Sequence, residues 1–585
     1  MLQNYMIVFT VFFYMGLLFA IAYYAEKRAE AGRSIINNPL VYSLSIAIYC
    51  TAWTYYGSVG RASVTGIDFL PVYLGPSLIA LLWWFVLRKI IRISKIHHIT
   101  TIADFISSRY GKKLYLSVIV TLIAVIGIMP YISLQLKAVS TSINVITNYP
   151  KIISDLQTVS TWSDTAFYVA ILMAVFTIIF GTRHLDASER HEGMVAAIAF
   201  ESLVKLIALL SVGIFVTYGI YNGLGDIFNA AAANPKLKTL FYFGDKGFGN
   251  WTCILIMSMM AIMFLPRQFQ VMDVENIDEN HIKQATWIFP LYLFLINIFT
   301  LPIAFGGILK FIDGGVSPDT FVLTLPMVEK NELLALFAFI GGISAATSMI
   351  VVTTIALSTM VSNDLVLPIL IKIDFLKVNQ RSDVSGLILG IRRVTIILIM
   401  LMGYLNFRWI GNSYALVSMG LLSFAASTQF APAILGGIFW KGGTRLGALT
   451  GLGGGFVVWL YTLFIPAIAK SGFLSTRFIE EGLFGIALLK PYQLFGLDGF
   501  NWLEHGLFWS LLVNIGCYVC MSLLFDHKDR EEKIQDSLFV DVFKNEKDEV
   551  IWKGDYSVAD IQTLLVRFLG QEKAKNAFDN YKNIY

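Results

Sequence analysis

The sequence predicts an all-α, polytopic membrane protein of about thirteen transmembrane helices, and three observations carry that prediction. Apolar stretches fill the chain from Tyr5 to about Leu524, each near the roughly 20 helical residues that a hydrocarbon core of about 30 Å requires. Apolar residues make up 56% of the chain and charged residues 14%, more apolar surface than a soluble fold has interior to bury. The four cysteines, Cys50, Cys253, Cys517 and Cys520, all lie inside these stretches, where a thiol behaves as a small hydrophobe. Cys517 and Cys520 have the spacing of a redox dithiol but no βαβ context, so redox and metal chemistry are set aside.

The spans fall at about 5–25, 38–59, 67–91, 114–146, 164–181, 191–222, 250–270, 284–310, 331–362, 390–406, 413–440, 446–467 and 504–525. The first lacks a basic leader and a small-residue cleavage site, so it is read as a retained helix. The fourth carries a kink signal at Gly127 to Pro130, followed by Tyr131 and Gln135. The ninth is dense in small and hydroxyl residues from Gly341 to Ser362, consistent either with close helix packing or with an oxygen-lined ion site. The twelfth repeats Gly447, Gly451 and Gly455 every four residues, a close-packing pattern rather than a nucleotide loop, because no strand precedes it.

Lys27, Arg28 and Arg33 occupy the first loop, and Arg88, Lys89, Arg92, Lys95, Arg109, Lys112 and Lys113 the third. Later odd loops repeat the bias while even loops are poor in basic residues, so the positive-inside rule places the N-terminus outside and the C-terminal tail in the cytoplasm. The loops at 223–249 and 468–503 are then external caps. A net charge of +4, scattered rather than striped with aromatics, leaves no footprint for nucleic acid.

Two spans are interrupted, and lipid tolerates unpaired backbone only where it lines a cavity. In the second, Tyr49 to Gly60 is rich in hydroxyls, aromatics and glycine; in the seventh, an apolar run of only about 15 residues ends at Pro266-Arg267-Gln268. Either the seventh span is a kinked helix entering a loop, or both are discontinuous helices forming a solute or ion site. Their five-span separation fits the first helices of two inverted five-helix repeats. Glu201 and Lys205 lie one turn apart in the sixth span, which predicts a mutually neutralising pair, either structural or involved in proton linkage or gating. No intramembrane catalytic or metal cluster is visible, so the chain reads as no enzyme and needs no cofactor.

Asp104 to Gly111, Gly181 to Asp186, the break at Pro266, Ala345 to Asp364 and above all Phe430 to Gly451 resemble the sodium/solute symporter family over about residues 5–525. That resemblance implies a LeuT-like core at 38–440, its inverted repeats at about 38–222 and 250–440, with a leading helix at 1–37 and two more helices within 441–525. It implies a solute site lined by Thr51, Ala52, Trp53, Tyr131 and Pro266. It also implies a sodium site built from the carbonyls of Ala47 and Cys50, the Ala345 carbonyl and Ser348. The next hydroxyl position of that site is Met349, a soft ligand for a hard cation, which leaves Thr347 or Ser344 as the substitute oxygen and both Na+ and H+ open as coupling ion.

Gly342 to Thr347, Ser358 to Asp364, Ser188 to His191 and Glu504 to Asn514 resemble more narrowly the transporter half of CbrA-type sensor histidine kinases. The tail at 526–585 resembles their STAC linker, with a capping box at Ser557 to Asp560 and a helical pattern from Val558 to Phe568. The residues that follow leave no room for a kinase. The resemblance implies an inner-membrane, ion-coupled symporter of a small polar solute, an amino acid in this subgroup. The rival expectation is a nutrient-sensing module whose tail contacts a separate cytosolic kinase.

Overall fold

The computed structural model describes residues 3–149, 161–181, 191–242, 247–312, 314–373, 384–410, 415–525, 528–544 and a few later positions. Those residues fold into helices joined by turns, and nine helices are long and apolar enough to cross a membrane without interruption. They run Tyr5–Glu30, Leu114–Asn148, Glu192–Ile220, His281–Lys310, Glu332–Ile373, Ser385–Ile410, Leu416–Phe439, Arg445–Lys470 and Trp502–Leu524.

The remaining predicted spans are short or broken. Thr165–Gly181 is a single shorter helix. Pro39–Tyr49 is followed after a gap by Trp53–Phe69; Pro71–Ala80 is followed by Leu87–His97; Phe248–Phe264 bends by 48° into Pro266–Val274. Leu114–Asn148 is one continuous helix with Pro130 inside it.

Burial sorts the helices. Glu332–Ile373 is 83% buried over its apolar window and Leu114–Asn148 72%, whereas Tyr5–Glu30 and Trp502–Leu524 are each 28% buried. The first two stand in the centre of the bundle and the last two face lipid, as helices apolar on every side do in a bilayer. Glycine sets how closely the central helices approach. A Cβ on Gly341 or Gly342 would meet the hydroxyls of Tyr55 and Tyr56 at 2.5 and 1.8 Å. The twelfth-span glycines do the same at the periphery: Gly447, Gly451 and Gly455 lie against Ser522 and Asn514 of Trp502–Leu524, which is the packing their spacing predicts.

The helix expected after Ser557 lies largely outside the described residues. An unforeseen one, Arg530–Val540, opens with a capping box at Asp529 and Glu532 and lies against the bundle. Asp536 pairs with Arg109, whose side chain is 1% exposed. The Lys89 ammonium donates to the Val540 carbonyl at 2.7 Å, and the Arg445 amide to Glu532 at 2.9 Å. Phe539 is buried against Phe105, ring centres 5.5 Å apart, and Phe105 packs on Phe269 of the broken Pro266–Val274 segment at 5.7 Å.

Candidate solute site at the two helix breaks

The first broken helix ends in a tight turn at Ala47–Tyr49, passes through extended backbone at Cys50 (φ −79°, ψ 93°) and restarts at Ala52 and Trp53 with a wide turn through Gly57. The restart exposes amide donors deep inside the protein, and each must be satisfied. Gln135 Oε1 accepts from the Ala52 amide at 3.2 Å, and Thr51 Oγ1 accepts from the Trp53 amide at 3.3 Å. Thr51 Oγ1 also lies 3.0 Å from the Tyr131 hydroxyl. Tyr131 and Gln135 stand four residues apart on Leu114–Asn148, one face of one helix, which is why both reach the same break.

Aromatic rings close round this polar patch. Trp53 lies 4.7 Å from Phe424 and 6.0 Å from Tyr131, centre to centre, and Tyr131 stacks on Phe424 at 5.9 Å. Gly420 admits the indole: a Cβ there would meet Trp53 Cε3 at 2.4 Å.

At the second break Leu265 is extended (φ −62°, ψ 133°), the conformation a residue before proline prefers, and Pro266 opens the next helical segment at the position where its missing donor costs least. The Tyr42 hydroxyl donates to the Met272 carbonyl at 2.7 Å and ties the two broken helices together. Pro266-Arg267-Gln268 is therefore no entry into a loop; all three residues are buried. The guanidinium of Arg267, fully buried, lies 4.3 Å from the centre of the Tyr131 ring, its neighbour there, and among the described residues its three nitrogens make no hydrogen bond of good geometry. A cation–π contact offsets only part of the cost of removing such a charge from water.

Thr51, Ala52, Trp53 and Tyr131 are thus gathered at one place, with Pro266 acting through the bend it makes. Arg267, Gln135 and Phe424 complete the cluster without having been assigned to it from the sequence. The available signal was a lone arginine beside a helix break, an intramembrane charge that marks a pathway by default.

Glu201 and Lys205 act on each other through their charges but make no direct salt bridge. The Lys205 ammonium instead donates to the Ala47 carbonyl at 2.9 Å and the Cys50 carbonyl at 2.7 Å, across the bundle on the first broken helix. Glu201 accepts from the Thr347 hydroxyl, and its backbone carbonyl accepts from Ser344 Oγ at 2.9 Å. The carbonyls of Ala47, which also accepts from the Cys50 amide at 3.0 Å, and Cys50 hold the ammonium because they offer it two acceptors at once. The hydroxyl of Ser348 donates to the Ser344 carbonyl of its own helix at 3.0 Å, and Ala345 is buried on that helix.

Searched against family models, the chain matches none. It is similar to two proteins of Bacillus subtilis (strain 168). One is the uncharacterized symporter YodF, 24% identical over 79% of this chain and 85% of that protein; the other is the uncharacterized symporter YhjB, 22% identical over 73% and 82%. Among solved structures it is similar to the substrate-bound, outward-open state of a Na+-coupled sialic acid symporter. The TM-score is 0.60 at 14% identity, covering 90% of this chain and 99% of that one. The fold is therefore the LeuT-like fold of a polytopic membrane protein.

Proposed function

We propose that the protein is a secondary active transporter that carries a small, carboxylate-bearing nutrient across the inner membrane together with an ion, by alternating access between the two broken helices. The observation that carries this reading is Arg267: a buried guanidinium over Tyr131, with no counter-ion among the described residues, beside two helix breaks. An arginine in that setting offers a carboxylate two parallel charge-assisted hydrogen bonds, and the bound anion removes the desolvation cost of the free site. Thr51 and Gln135 supply neutral polar contacts, and Trp53 and Phe424 an apolar wall. Symport is supported by the similarity to YodF and YhjB, and the amino-acid class only by the sequence resemblance of segments such as Gly342 to Thr347 to CbrA-type proteins.

In this reading 38–222 and 250–440 are the repeats that rock against each other, the N-terminus is external and the tail cytoplasmic. A charge moving inward gains about 2.3 kcal/mol per 100 mV, enough to concentrate a solute more than tenfold. The part of the tail described, Arg530–Val540, lies on the carrier itself, which supports a role in steadying the carrier rather than in recruiting a kinase.

The test is counterflow in proteoliposomes of the purified protein, loaded in turn with the twenty amino acids, acetate, pyruvate and succinate, and with the carboxylate-free solutes glucose, glycerol, urea and choline. Exchange of one or more carboxylates supports the reading. Exchange confined to uncharged or cationic solutes contradicts it.

A further inference from the structure

A coupling sodium ion is what the fold's relatives imply, and the residues here do not fit one. Such an ion would take the carbonyls of Ala47 and Cys50 at the first break, and both already accept from the Lys205 ammonium, at 2.9 and 2.7 Å. The hydroxyls nearby make hydrogen bonds within the protein, each donating its proton while keeping lone pairs. Thr347 donates to Glu201, Ser344 donates to the Glu201 carbonyl and accepts from Tyr14 at 2.9 Å, and Ser348 donates within its own helix. Met349 offers only a thioether, a soft donor that a hard monovalent ion does not favour. A second cation at these carbonyls would also stand within a few ångströms of a buried ammonium.

We infer that Lys205 is a built-in substitute for the coupling cation: its ammonium, tethered to the helix Glu192–Ile214, bridges the first break where a free ion would otherwise sit, and the protein neither binds nor transports sodium. The lengths agree with this role. A lysine stem of four methylenes reaches from one helix to the next, and its head presents up to three donors to the carbonyls gathered at the helix break. Lys205 is fully buried, with Glu201 one turn away on the same helix to balance its charge and Arg267 as the other buried cation of the region. The tether has a functional consequence. The amine group itself cannot leave for the other side of the membrane, so the break stays bridged without any metal ion from solution.

The inference rests on the transport reading only for its flux arm. In the binding arm, thermal unfolding of the full-length protein is compared in sodium, potassium and choline chloride at one ionic strength. Wild type should unfold at the same temperature in all three, while K205A, whose carbonyls are vacated, should gain a rise of several degrees in sodium, as a folded state does when it acquires a ligand. A sodium-specific rise in wild type overturns the inference, and so does a folded K205A with no sodium response. If K205A cannot be purified, the wild-type comparison decides. In the flux arm, 22Na+ uptake by wild-type proteoliposomes should match protein-free liposomes during exchange of whichever carboxylate the counterflow panel identifies. Sodium uptake that depends on that solute overturns the inference. Failure of every panel solute to exchange removes the transport reading and leaves the unfolding comparison to decide on Lys205.

Discussion

The hydroxyl of Tyr131 lies 3.0 Å from Thr51 Oγ1, and the ring of the same tyrosine lies beneath the Arg267 guanidinium at 4.3 Å, so one side chain joins the two helix breaks. Tyr131→Phe keeps the ring and deletes the bond to Thr51. It should cost about 1 kcal/mol of stability and weaken solute exchange severalfold without abolishing it. Tyr131→Ala removes the platform under Arg267 too and should abolish exchange. Unfolding midpoints and counterflow rates of the two variants check the order.

Gly420 makes room for Trp53. A methyl there would sit 2.4 Å from the indole, whereas a methyl at Gly390, on Ser385–Ile410, meets nothing within 4 Å. Gly420→Ala should destabilise by about 1–3 kcal/mol and lower solute affinity. Gly390→Ala should be neutral or gain up to about 1 kcal/mol. Equal midpoints for the two variants would argue against the close approach.

Arg109 donates to the carbonyls of Gly437 at 2.6 Å and Trp440 at 3.2 Å and pairs with Asp536 from the tail. Asp536→Ala leaves a buried guanidinium without its counter-ion and should cost about 3–5 kcal/mol, far more than an exposed pair is worth. Hydrogen exchange should rise first in Arg530–Val540. Unchanged exchange there would mean that the helix is held by Phe539 and its neighbours alone.

Glu279 lies in the turn before His281 and accepts from Arg88 at 3.1 Å and from Arg92 at 2.7 Å. Burial works to raise its pKa, but the hydrogen bonds and charges of the two arginines outweigh burial and hold it below the usual glutamate range. A depressed carboxyl contributes stability that is present above its unfolded pKa and lost as pH falls through the folded one. The protein should therefore lose stability below the ordinary glutamate pKa of about 4.3, and Glu279→Gln should flatten that acid limb. Midpoints of both proteins across the acid range check the sign.

Much of the site is written locally in the chain. Hydroxyls and glycine after Ile48, and proline at 266, break apolar runs where lipid leaves no alternative to an internal binding place, so both breaks were readable. At Arg267 the sequence leaves two readings open, a helix entering a loop or a discontinuous helix, because a cation after a proline looks the same whether it enters water or a sealed interior. Lys205 misled for a related reason. The turn-by-turn pairing rule sees Glu201, while the carbonyls that win, Ala47 and Cys50, belong to a helix some 155 residues earlier. The tail helix Arg530–Val540 escaped notice because its fixing contacts, Arg109, Lys89 and Arg445, are spread over distant loops that only the folded bundle brings together.

The most direct measurement of the central claim, a carboxylate held by Arg267 between two broken helices, is counterflow of the identified solute against that solute and its methyl ester, in wild type and Arg267→Gln. Wild type should exchange the acid at least about tenfold better than the ester, about 1.4 kcal/mol of discrimination, and Arg267→Gln should lose the acid while keeping whatever ester exchange there is. Equal handling of acid and ester by wild type, or undiminished exchange of the acid by Arg267→Gln, would contradict it.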